Sequence, residues 1–174
     1  MKRVTVWIGV LLPFALAFAS VNASAQTTFN MTGTIVNGTC QWTLSGGSDS
    51  TVALDPISVS ALPAVGATGY KPFQLTVNSC SAGLTQATFA FTGTSDATDL
   101  ARYKNTGAAT GVAVELESAD GATIGANNTN NTRTVPISAG QATLDLRVAY
   151  WKLPSVLATT GSVLSSTLVT MSYL

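Results

Sequence analysis

Residues 144–150 read LDLRVAY, with Leu144, Leu146, Val148 and Tyr150 interleaved by Asp145, Arg147 and Ala149. A period of two sends successive side chains to opposite faces of an extended chain, so this run predicts a strand with one face buried. The same alternation marks Phe73, Leu75 and Val77, then Ala87, Phe89 and Phe91, then Val112, Val114 and Leu116. Turn-forming clusters separate these runs at 45–49, 79–83, 93–96, 106–111, 120–125 and 138–140. No window carries a convincing helical stripe. Short strands punctuated by turns predict an all-β sandwich. The stretch 127–132 has only Asn and Thr, and it predicts a solvated loop despite its two Asn-x-Thr triplets.

Composition removes several function classes. The chain has 174 residues, 8 Lys+Arg against 8 Asp+Glu, only 9% charged residues and 46% apolar residues. That balance excludes a nucleic-acid binder held by a basic face and a chain kept disordered by its own charge. With no histidine, Ser-His-Asp and Cys-His catalysis and two-His zinc motifs are excluded too. The close acidic pairs are Asp96 with Asp99, in a turn, and Glu115 with Glu117, which the alternation places on the solvent face of a strand. Neither points to a hydrolase, and no enzyme activity or cofactor is expected.

Lys2 and Arg3 precede a mostly apolar run from Val4 to Phe18, followed by Ala23, Ser24 and Ala25. This predicts a secretory signal peptide over 1–25, because the run is shorter than the ~20 residues of a membrane span and ends in an A-x-A site. Export carries Cys40 and Cys80 into an oxidising compartment, where one disulfide is expected. A closed loop of about 40 residues is worth about 4 kcal/mol in the chain-entropy account. Free or metal-binding thiols are the competing reading, but no histidine or second cysteine pair supports a metal.

The two ends of the remaining chain are informative. Phe29, Met31, Gly33 and Ile35 alternate with Asn30, Thr32 and Thr34 directly after a short lead. At the far end Ser165, Thr167, Val169, Met171 and Tyr173 share one face of a last strand, with Leu174 following.

These residues together resemble the bacterial chaperone-usher pilins of the type 1 fimbrial kind. The resemblance rests on Phe29-x-Met31-x-Gly33-x-Ile35-Val36 before the first cysteine and Phe73-x-Leu75-x-Val77-x-x-Cys80 around the second. It continues in Phe89-x-Phe91-x-Gly93-Thr94-x-Asp96, Gly111-Val112-Ala113-Val114-x-Leu116 and Leu144-x-Leu146-x-Val148-x-Tyr150, then in Gly161 with Tyr173. Each piece alone is common in strands; the ordered set is specific. Trp42, Trp151 and Lys152, and the short lead before Phe29, fall outside the family pattern.

The resemblance implies an immunoglobulin-like sandwich that lacks its last strand and is completed in trans by donor-strand complementation. Residues 26–36 would be the donor segment, with Phe29, Met31, Gly33 and Ile35 as the inserted positions, and 37–174 the pilin domain. Gly161, Val169, Met171 and Tyr173 would line the acceptor groove and meet a chaperone. The implied partners are a periplasmic chaperone, an outer-membrane usher and other pilin subunits in a head-to-tail fibre, with no nucleic acid. The chain would pass through the periplasm to a cell-surface fimbrium and contribute to adhesion. Two alternatives stay open on the residues alone. The first strand could pair within its own domain, and the chain could be a self-complete adhesin or carbohydrate-binding module using Trp42 or Trp151.

Overall fold

The protein is described by a computed structural model over residues 27–34, 40–45 and 51–174, the first of these segments by its backbone path. The expected signal peptide and the donor-segment residues Gln26, Ile35 and Val36 lie outside the described residues. Nine strands form among the described residues: β1 (Thr27–Thr34), β2 (Gln41–Ser45), β3 (Thr51–Leu54), β4 (Gly66–Asn78), β5 (Gln86–Gly93), β6 (Val112–Ser118), β7 (Thr132–Pro136), β8 (Ala142–Lys152) and β9 (Val163–Tyr173). A single 3₁₀ turn, Val59–Ala61, lies between β3 and β4.

The strands divide into two sheets, ordered β3-β1-β9-β5-β7 and β2-β4-β8-β6. The alternating runs explain why they face each other. Phe73, Leu75 and Val77 of β4 and Leu144, Leu146, Val148 and Tyr150 of β8 are buried against Phe89 and Phe91 of β5 and Val52 of β3. Each such side chain contributes about 1.5–3 kcal/mol when fully withdrawn from water. Trp42 is half-buried and packs against this core from β2. Where β4 shifts register between Thr68 and Lys71, Gly69 takes φ +70°, and an added Cβ there would lie 3.1 Å from the Tyr150 ring.

The expected disulfide is formed between Cys40 and Cys80, and it ties the start of β2 to the turn after β4. Cys80 also donates its backbone N–H to the Gly140 carbonyl oxygen just before β8. The loop at 127–132 is largely exposed as expected, although Thr132 already belongs to β7 and the Asn131 amide donates to the Phe91 carbonyl oxygen.

The placement of Glu115 and Glu117 on a solvent face is corrected. Both alternate outward from the core, yet Glu115 is 0% and Glu117 7% exposed. The chain around Tyr103 bridges to Val114 and Thr123 bridges to Glu117 along the edge of β6, and side chains from Arg102, Thr123, Arg147 and Tyr70 close around the two carboxylates. Two carboxylates sealed there need partners. Arg102 pairs with Glu115, and Thr123 donates its hydroxyl to Glu115 Oε1 at 2.8 Å. Arg147 meets Glu117 Oε2 through Nε at 2.7 Å and Nη2 at 2.6 Å, while the Tyr70 hydroxyl donates to Glu117 Oε1. The Arg102 guanidinium lies 3.6 Å from the centroid of the Trp151 ring, and that of Arg147 4.4 Å from the Tyr70 ring. Burial pushes the Glu115 carboxyl up to about 7, against the opposing pull of the Thr123 hydrogen bond and the Arg102 charge.

Candidate assembly groove

β9 sets the site. Its odd positions Val163, Ser165, Thr167 and Val169 are buried, Met171 and Tyr173 are half-buried, and five of its even positions are exposed. This is the inward face predicted for the last strand. On one side β9 pairs antiparallel with β5, from Ala87 opposite Tyr173 to Gly93 opposite Thr167. The Leu174 carbonyl oxygen accepts from the Gln86 N–H at 3.0 Å and prolongs that ladder. Burial raises the pKa of the Tyr173 phenol, so the ring is partly withdrawn from water at this end.

On its other side β9 does not pair with β3. The two are separated by one strand, and that strand is β1 of the same chain. β1 runs parallel to β9 from Thr27 opposite Val163 to Thr34 opposite Thr170, and antiparallel to β3 from Thr27 opposite Leu54 to Asn30 opposite Thr51. The sandwich therefore has a slot one strand wide, closed in the single chain by its own N-terminal segment.

In this register Phe29, Met31 and Gly33 stand opposite Ser165, Thr167 and Val169 of the buried row of β9. Of the sequence-predicted positions, Phe29, Met31 and Gly33 are brought beside β9. Val169 lies within the paired span, and Met171 and Tyr173 extend beyond it.

Gly161 sits just ahead of β9, with φ +152°. An added Cβ would lie 2.5 Å from the Ala109 nitrogen, so the position admits glycine where the two backbones touch. Ala109 donates its N–H to the Ser162 carbonyl oxygen, and Asn105 Oδ1 accepts from the Leu164 N–H, which fixes the entry to β9. Beside this entry an apolar cavity of about 790 Å³ is lined by Ile57, Leu62, Val112, Tyr150, Gly161 and Val163 among others. It lies at the end of the slot where the β1 register begins.

Three elements escaped the sequence reading. β2 and β3 are only five and four residues long, although Val52 and Leu54 carry the correct alternation. β7 is an edge strand whose Thr134 hydroxyl meets that of Thr88 at 2.9 Å, and its hydrophilic sequence gives no apolar signal.

The family model described as fimbrial protein matches residues 29–173. The chain belongs to the fimbrial protein family. The fimbrial subunit is 34% identical over 155 residues to a type-1 fimbrial protein subunit of Serratia marcescens, covering 81% of this chain and 86% of that relative. It is also 34% identical over 124 residues to protein FimG of Escherichia coli K12, covering 71% and 69%. Among solved structures it resembles the P pilus rod subunit PapA, with TM-score 0.63 and 17% identity over 78% of this chain and 99% of that one. A subunit from a chaperone-usher pilus structure gives TM-score 0.64 and 17% identity over 95% of this chain and 100% of that one. The fimbrial subunit is thus a structural, non-enzymatic component of a fimbria, built on an all-β pilin-like fold.

Proposed function

We propose that the slot between β3 and β9 is the acceptor site of the fibre, and that the N-terminal segment over 26–36 of one fimbrial subunit fills the slot of the next. The supporting observation is that a single strand from the chain's N-terminal end separates β3 from β9, which do not otherwise pair. A strand held from one end of the chain can be supplied by an identical chain, and identical head-to-tail contacts that do not close propagate as a filament. Before assembly a periplasmic chaperone would lend a strand to the same slot, because open sheet edges beside apolar side chains aggregate. An outer-membrane usher would exchange that strand for the donor after signal-peptide cleavage and export, placing the fibre at the cell surface and contributing to adhesion.

Gly33→Arg tests the donor role. A guanidinium carried by the donor into a slot between β3 and β9 that is lined by buried side chains brings in an uncompensated charge, which costs more than the 1.4 kcal/mol equivalent to about tenfold in binding. The variant, co-expressed with its chaperone, is expected to be recovered in the chaperone complex while its incorporation into fibres falls at least about tenfold. Normal fibre yield would refute the assignment. The carbohydrate-module alternative gains no support from Trp151, since Arg102 covers one face of its ring.

A further inference from the structure

We propose that the Arg102 side chain is a proton-controlled cover on the Trp151 ring, held there by ionised Glu115 and released toward Asp99 when Glu115 takes up a proton. Glu115 and Trp151 lie on the outer face of the β2-β4-β8-β6 sheet, away from the slot. One guanidinium serves two carboxylates there. Arg102 pairs with Glu115 through Nη1, and its Nε stands 3.5 Å from Asp99 Oδ2. Glu115 is sealed from water, whereas the Asp99 side chain is 26% exposed. Between the two acids the guanidinium carbon lies 3.6 Å from the centroid of the Trp151 ring, and the Arg102 side chain is only 12% exposed.

The backbone under this side chain is held on both sides. The Arg102 N–H donates to the Asp99 carbonyl oxygen at 2.9 Å, and the Arg102 carbonyl oxygen accepts from the Asp96 N–H at 2.9 Å. Directly after it, Tyr103 exchanges two backbone hydrogen bonds of 2.9 Å with Val114. A change of partner at Arg102 is therefore a rotation of the side chain alone. Burial of a guanidinium is offset only while its partner carries a charge. With Glu115 neutral that attraction is gone, and the remaining carboxylate beside Arg102 is the one at the rim, in contact with water.

The groups around Glu115 make it the member that takes the proton. Burial lifts its carboxyl to about 7, opposed by the Thr123 hydroxyl and the Arg102 charge, and the like charge of Glu117 adds to the rise. Glu117 is itself engaged by Arg147 and by the Tyr70 hydroxyl, which leaves those groups committed elsewhere. Burial pushes the neighbouring Tyr103 phenol up to about 12, so it stays neutral throughout this range. The second cation–π pair on the same face, Arg147 with Tyr70, lacks the device, because the Arg147 side chain is 34% exposed and water shares its charge. Acid thus trades one ion pair for another at Arg102 and presents the Trp151 face only when the medium is mildly acidic.

Acrylamide quenching of tryptophan fluorescence in the purified full-length subunit tests this, with near-UV circular dichroism checking that the fold is intact at each pH. In a Trp42→Phe background Trp151 is the one indole outside the expected signal peptide. Its quenching constant should rise at least about twofold between pH 8 and pH 5, with a midpoint near 7. Glu115→Gln keeps the shape and removes the charge, and it should give the acid value at both pH values. Asp99→Asn takes away the rim partner at a part-exposed position, so it should flatten the rise, and it reads the switch should Glu115→Gln misfold. A quenching constant that stays level with pH in the folded chain would overturn the proposal. A rise of the same size and midpoint in Glu115→Gln, or in Asp99→Asn, would overturn it as well.

Discussion

Arg102→Ala is expected to lower the stability of the fimbrial subunit by about 3–5 kcal/mol, the usual consequence of stranding one member of a buried ion pair. Glu115 has no water to turn to at 0% exposure, and Glu117 lies two residues along the same face of β6. Loss of the guanidinium also uncovers the Trp151 ring. The pH dependence separates this cause from lost packing. Because burial raises the Glu115 pKa from 4.5 to about 7, the folded chain retains a proton that the unfolded chain releases across that window. Glu115 therefore makes stability fall as pH rises from about 4.5 to 7, with its full cost present above that range. Urea unfolding should show a larger Arg102→Ala penalty at pH 8 than at pH 5. The same substitution in a Glu115→Gln background should cost less than in the native chain. A penalty independent of both pH and Glu115 would assign the loss to packing alone.

Replacing Cys40 and Cys80 together by serine is expected to remove about 4 kcal/mol, the loop-closure term for the 40-residue separation. An ordinary domain has only about 5–15 kcal/mol in total, and the melting temperature should drop by about 10–15 °C. The disulfide also fixes the point from which the N-terminal segment departs toward the slot. Its loss should consequently loosen the seating of β1 between β3 and β9 beyond the general destabilisation. Hydrogen exchange at β1 relative to β5 would show this as a disproportionate loss of protection at β1. Equal loss in both strands, or a change in stability below about 1 kcal/mol, would contradict the assigned role.

The parts of the fold that were legible in the sequence are those where one face is dry and the other wet. β4, β5, β8 and β9 alternate because each lies between the core and solvent, and the inward row of β9 could be assigned residue by residue. β6 misled for a physical reason. Its alternation is real, but side chains brought over it make the second face dry as well, and the ion pairs that satisfy Glu115 and Glu117 come from Arg102 and Arg147, which lie apart from them in sequence. Periodicity reports which residues share a face and is blind to what later covers it. The slot was legible only in part. Phe29, Met31 and Gly33 announced a strand, but alternation is identical whether that strand pairs with its own domain or another's, and in either direction along β9. In the single chain β1 pairs parallel to β9, a direction that no pattern of apolar residues records.

The most direct test of a transferable strand is complementation of a subunit lacking residues 26–34 by a peptide of residues 26–39, co-refolded with it after oxidation of Cys40 and Cys80. The account predicts that the truncated chain alone aggregates, that the peptide returns it to a soluble, cooperatively unfolding monomer, and that the same peptide carrying Gly33→Arg fails. A truncated chain that is soluble and cooperatively folded without any peptide, or one rescued equally by both peptides, would contradict it.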